Sequence, residues 1–205
     1  MPDGQPSTEE AQEFYEFALS IYEQVKNILE QNNVIIQGKS IKLRLIEIKD
    51  AEFILSLRLD SNLNKHLSSV NNDLNAQIDW IKKYKEREIE KEEYYFIIES
   101  LSGEPYGTVR LYDFRDNSFC WGSWIIKPNS PSIVSIQSTL LVYQFAFYTL
   151  HFKKSHFDVR KENLKVIDFH KRMGGKIVSE DELNYYFEYL KEDYEKAREK
   201  YKKFL

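Results

Sequence analysis

Histidine is the side chain whose charge changes near neutral pH, and two of the four histidines stand where a proton transfer could use them. His170 lies seven residues beyond Asn163, two turns along a segment that reads as a helix from Glu162 to Met173. There it can serve as a proton donor or simply hydrogen-bond a neighbouring strand. His66 sits in the polar stretch from Asp60 to Asp73, a loop of the length that often carries binding residues. With Asp73, Asp113 and Glu99 it is a candidate general base; the alternative for each is a solvated or structural side chain. Cys120, the single cysteine, is either a nucleophile or a small apolar strand residue. The aromatic residues Tyr112, Phe114, Phe119, Trp121 and Trp124 can line a pocket for a sugar or a base, or can form core.

The elements that must position these groups follow from periodicity. Phe14, Ala18, Ile21, Val25 and Ile28 recur at spacings of four and three, one apolar stripe on a helix from Thr8 to about Asn32. That stripe packs either on the protein's own body or on a second copy, which would make a homodimer. Ile41, Leu43 and Leu45 alternate with polar residues as in a strand. Asp50 is placed to cap a helix through Leu57, and a second amphipathic helix runs from about Asn75 to Glu90. Strands at Tyr94 to Glu99, Gly107 to Phe114 and Ser118 to Ile126, broken by Ser102-Gly103 and Asp116-Asn117, predict an antiparallel meander. A strongly apolar helix from Ser132 to Leu150 follows, then a strand at His156 to Arg160, the Glu162 helix, and strands at Lys176 to Ser179 and Asn184 to Tyr189. A charged helix from Glu192 to Leu205 closes the chain. The expected class is α/β, an α+β sandwich with a mixed central sheet flanked by helices.

Composition bounds the function. With 205 residues, 42% hydrophobic and 30% charged, the chain suits one domain with helical additions. One cysteine excludes an internal disulfide and a multi-cysteine zinc site and suits a reducing compartment, so a cytoplasmic location and no metal are expected. The acidic N-terminus does not read as a signal peptide, and no apolar run reaches membrane-spanning length. A net charge of −4 with interleaved signs gives no nucleic-acid footprint.

The order strand, two helices, meander, buried helix, strand, helix, strands resembles the GNAT N-acetyltransferase fold from Ser40 to Tyr189. The most specific stretch is Phe157-Asp158-Val159-Arg160-Lys161-Glu162-Asn163, followed by Val166, Phe169, His170 and Gly174. In that family an asparagine opens the helix, a tyrosine stands seven residues on and a glycine eleven on; here those places hold Asn163, His170 and Gly174. Trp121-Gly122-Ser123-Trp124-Ile125-Ile126 ahead of Pro128, and Tyr143-Gln144-Phe145-Ala146-Phe147, are similar too. Within the superfamily the chain looks closest to ribosomal-protein N-terminal and sugar-nucleotide acetyltransferases.

The resemblance implies a GNAT domain over 40–190, an N-terminal helical extension over 1–39 and a C-terminal helix over 191–205 packed on the domain. It implies acetyl-CoA as co-substrate and a primary amine as acceptor, a small molecule such as an amino-sugar nucleotide of surface-polysaccharide biosynthesis. A protein N-terminus, another small amine, or a non-catalytic GNAT-shaped module are the alternatives. Trp124, Ile125, Ile126 and Lys127 would pair with pantetheine, and Asn129, Ser130 and Ser132 would meet the pyrophosphate. Asn163 would bond the pantetheine or orient the adjoining strand. His170 would protonate the departing thiolate, His66 would border the acceptor pocket as base, and Tyr112 and Trp121 would contact the acceptor. The loop Lys127-Pro128-Asn129-Ser130-Pro131-Ser132 departs from the family by lacking glycine, which restricts backbone approach to a phosphate.

Overall fold

A computed structural model describes residues 8–31, 34–65 and 70–205. The chain divides into two compact units, Met1–Val34 and Ile35–Leu205. The first holds helix α1 (Thr8–Gln31), on which Phe14, Ala18 and Ile21 are exposed. The side chains of Val25 and Ile28 lie outside the described residues.

The second unit is built on one eight-stranded sheet. Its strands are β1 (Ile35–Gln37), β2 (Ile41–Leu45), β3 (Tyr94–Ser100), β4 (Pro105–Arg115), β5 (Ser118–Ile126), β6 (Lys154–Arg160), β7 (Lys176–Glu180) and β8 (Asn184–Leu190). Their spatial order is β1-β2-β3-β4-β5-β6-β8-β7, and every pair is antiparallel except β5 with β6. β1 was not expected as a strand, because three residues are too few to show a period. Helices α2 (Ala51–Leu59) and α3 (Leu74–Ile89) cover one face, where Ile46, Ala51, Ile54, Ile81, Tyr84, Tyr95 and Ile97 form a buried cluster. Helix α4 (Ile133–Gln144) continues into a π-helical turn, Phe145–Thr149, and covers the other face. Phe145 there meets Tyr94 and Phe96, the residues that alternate with Tyr95 on β3. Helices α5 (Leu164–Met173) and α6 (Lys191–Lys200) lie on the α4 side, with Tyr194 against Phe147.

Several polar residues singled out from the sequence, as candidate bases or, for Asp50, as a helix cap, turn out to hold this frame. Asp73 caps α3, accepting from the Ala76 N–H at 3.0 Å. Asp50 makes no side-chain cap on α2; its carboxylate instead takes both terminal nitrogens of Arg44 at 2.7 and 2.8 Å. Glu99 is buried against the same arginine at 2.9 Å, because β2 and β3 pair with Arg44 and Glu99 on one face. Asp113 pairs with Arg115 and with His156 Nε2, 3.1 Å away. A charged group already committed in this way is poorly placed to cycle a proton.

Candidate active site

The parallel strands β5 and β6 pair only at Ser118 with Lys154 and Phe119 with Ser155, then diverge. Beyond Phe119 the β6-facing edge of β5 has no strand partner. Divergence is reinforced by a bulge: two residues of β4, Thr108 and Arg110, bracket one intervening position, while their partners Ile125 and Gly122 bracket two. Ser123 takes the extra place with a left-handed φ of 46°, and its carbonyl accepts from Thr108 Oγ1 at 2.8 Å.

The wedge so formed is a cavity of about 290 Å³ lined by residues of β5, β6 and α5. Side-chain alternation means it is lined from both faces of the sheet. On the α4 side stand Trp121, Trp124, Phe157 and His170; toward the opposite face stand Gly122, Asp158 and Arg160. Trp121 is fixed by donating Nε1–H to Tyr143 Oη at 2.7 Å, and Trp124 donates to Ser138 Oγ at 3.1 Å. Asn163 opens α5: its backbone carbonyl accepts from Val166 and Ile167, its side chain makes no cap, and it borders the cavity.

Of the residues singled out from the sequence, Trp121, Trp124, Asn163 and His170 therefore meet around one cavity. Tyr112 borders a neighbouring cavity, with its hydroxyl 2.9 Å from where a Cβ on Gly122 would stand. Ile125 is buried, and Ile126 opposes Gly107 in the β4 ladder. Lys127 donates its N–H to the Tyr106 carbonyl at 2.7 Å, while its ammonium lies 3.7 Å from Glu104 in an exposed pair. Ser130 N–H closes a turn onto the Lys127 carbonyl at 3.3 Å, with Pro128 and Asn129 at its centre and Asn129 at φ 63°. A proline followed by a left-handed residue is the type II pattern, and asparagine tolerates that region. Ser132 stands exposed before α4 without a capping bond. His66 lies outside the described residues.

His170 requires a correction to its expected chemistry. Its ring is 5% exposed and boxed by Trp121, Phe157, Phe169 and Phe187, with centroids 4.4 to 5.8 Å away. Loss of solvation there lowers its pKa to about 3, so it is neutral near pH 7 and has no imidazolium proton to give. Cys120 is likewise no ready nucleophile: burial pushes its thiol up to about 11. Asp158, not among the residues singled out from the sequence, is the one carboxylate among the described residues lining the cavity. Its signal was available in the alternation of Phe157, Asp158 and Val159, which puts the carboxylate on the face opposite the aromatic core.

Such a cleft can hold an extended donor along the free edge of β5 and present its reactive end to a nucleophile arriving from the Asp158 side. Among the described residues no group of His, Cys, Asp and Glu is placed to hold a metal ion, and no helix is long and apolar enough to cross a membrane.

Comparison with known proteins agrees with this arrangement. Residues 40–176 match the acetyltransferase (GNAT) domain family. Apo FdhC, described as a nucleotide-linked sugar GNAT, is 45% identical over 84% of this chain and 99% of its own, with a TM-score of 0.78. The spermidine N-acetyltransferase of Vibrio cholerae, solved with CoA and spermine, is 18% identical over 75% of this chain and 97% of its own, with a TM-score of 0.66. A GNAT-family acetyltransferase of Bacillus anthracis is 13% identical over 78% and 99%, also at 0.66. At those identities the last two show the shared fold alone. No match was found among curated proteins. A sheet that opens between two parallel strands, bordered by the Asn163 helix and matched along 40–176, makes this chain a member of the GNAT family and an acetyl-CoA-dependent N-acetyltransferase.

Proposed function

We propose that the enzyme acetylates the amino group of a nucleotide-linked amino sugar. The observation that carries this reading is the 45% identity along 99% of a nucleotide-linked sugar GNAT. The cavity itself favours it over a polyamine: a polycation calls for several carboxylates, and Asp158 alone lines the wedge among the described residues.

Two features fit a bound thioester donor. β5 beyond Phe119 has free backbone groups to pair with an extended arm, and the glycine-free loop still reaches a left-handed turn through Asn129. When bound, acetyl-CoA supplies an activated acetyl carbon for attack by an amine. Trp124 and Ile126 would hold the pantetheine arm by their backbone, whereas Lys127 spends its own on Tyr106 and Ser130; Asn129, Ser130 and Ser132 would offer donors to the pyrophosphate, and Asn163 would bond the arm from the α5 side. Asp158 receives the acceptor's ammonium group and takes its proton as the nitrogen becomes nucleophilic. His170, neutral, offers a ring N–H to the developing thiolate as a hydrogen bond, and its aromatic box keeps water from the sulfur.

The test is thiol release from acetyl-CoA with a panel of acceptors: nucleoside-diphosphate amino sugars, spermidine and short peptides with free N-termini. Turnover with an amino-sugar nucleotide at least about a hundredfold above the others, expressed as kcat/KM, supports the reading. Preference for spermidine or a peptide overturns it.

A further inference from the structure

Next to the wedge lies a second cavity of about 470 Å³, and the proposed transfer chemistry makes no use of it. Its wall is assembled with care. Glu93, 3% exposed, receives Arg87 Nε on one oxygen at 2.6 Å and Arg110 Nε on the other at 2.7 Å. The Arg110 guanidinium lies over the rings of Tyr112 and Trp80, 4.9 and 5.3 Å from their centroids. Held by a carboxylate and two rings, it is pre-oriented, and ordering it on a ligand would cost little entropy. Nη1 of Arg110 and Nη2 of Arg87 make no hydrogen bond among the described residues, and Lys91, exposed with a left-handed φ of 59°, has no ion pair among them. Arg87, Lys91 and Arg110 balance Glu92, Glu93 and Asp113, so the wall is formally neutral, but Asp113 is held by Arg115 and His156, and the unpaired donors that remain belong to Arg110, Arg87 and Lys91.

The two cavities are neighbours by register. Gly122, which lines the wedge, is the direct partner of Arg110 across β4 and β5, and adjacent strands stand about 5 Å apart. Tyr112 bridges them, its hydroxyl against Gly122 and its ring under Arg110. With its amine over the wedge beside Asp158, a hexose laid across these two strands would carry its anomeric substituent beyond β4, toward Arg110 and Lys91.

We propose that this second cavity binds the diphosphate of the nucleotide-linked acceptor, with Arg110 and Lys91 on the phosphates and Tyr112 beneath the sugar ring. The proposal rests on the amino-sugar-nucleotide reading above. It is tested by calorimetric titration of uridine diphosphate and thymidine diphosphate into the full chain, with and without saturating CoA. Binding of one of them in the presence of CoA is expected, weakened about tenfold or more by Arg110→Gln and by Lys91→Glu, with CoA affinity unchanged. Lys91 is exposed, so its charge reversal keeps the question open to refutation if Arg110→Gln, which leaves buried Glu93 with Arg87 as its one guanidinium partner, unfolds the protein. If a nucleoside diphosphate binds but ignores both substitutions, or is displaced by CoA, this cavity is not the diphosphate site while the acceptor reading stands. If neither nucleotide binds a protein that still binds CoA, both fall.

Discussion

Replacing His170 by glutamine should flatten the acid side of the stability curve. In the unfolded chain the imidazole titrates near 6.5, whereas in the fold desolvation holds it at about 3. The native state therefore refuses a proton that the unfolded state accepts throughout that window. With a depressed folded pKa, the stability tied to the neutral ring is fully present above the unfolded value and is lost as pH falls below it. Each pH unit is worth about 1.4 kcal/mol, so the whole span amounts to about 5 kcal/mol, and the interval from pH 6.5 to pH 4.5 to about 2 kcal/mol. Carboxylates titrate mainly below that interval and the other three histidines are common to both proteins, so the difference between the two curves isolates His170. The assay is urea unfolding at several pH values for wild type and His170→Gln, comparing slopes rather than absolute stabilities, since the substitution itself perturbs packing. The wild type should lose about 2 kcal/mol relative to the variant across the interval. Parallel curves would refute the reasoning and return His170 to the role of a titrating acid.

Asp158→Asn should lower turnover by about two to four powers of ten while leaving acetyl-CoA affinity unchanged, seen by pairing steady-state rates with calorimetry. At Asn129 the left-handed backbone predicts an ordering: Asn129→Gly should keep acetyl-CoA affinity and stability, whereas Asn129→Ala should cost about 1 kcal/mol in thermal unfolding and weaken binding. Gly107→Ala would place a Cβ 2.0 Å from the Ile125 carbonyl oxygen, a backbone atom with no room to yield. It should destabilise the domain by about 3 kcal/mol or more and disturb the β5 bulge with it, read by denaturant midpoint and by loss of activity.

The meander was legible because Tyr94 to Ile126 carries both alternation and two short polar turns, and each signal is local. Placing β8 between β6 and β7 was not, since pairing order depends on partners far apart in sequence. The same division runs through the site. Asn163, Trp121 and Trp124 could be named from spacing in a familiar pattern, but the burial of His170 comes from rings on β5, β6, β8 and its own helix, which no window of sequence displays together. Asp73 is a candidate base by residue type, but its position just ahead of an amphipathic run marks a helix cap, the structural alternative. Asp158 had the reverse fault: it gains meaning only where β5 and β6 part, and divergence of two strands leaves no trace in residue type.

Gln137, wholly buried on α4, accepts from the Ser40 N–H at 3.3 Å and donates to the Phe204 carbonyl. Lys39 reaches the Lys203 carbonyl at 3.2 Å, a contact between residues 164 apart. One amide thus fastens the opening of the folded unit to its last turn. On the ribosome, at about 5 to 20 residues per second, the stretch around Ser40 waits roughly 8 to 30 seconds before its final neighbour is synthesised. β2 gains its sheet partner β3 well before then, so pairing of the sheet can precede this clasp, and the clasp closes over strands that are already paired.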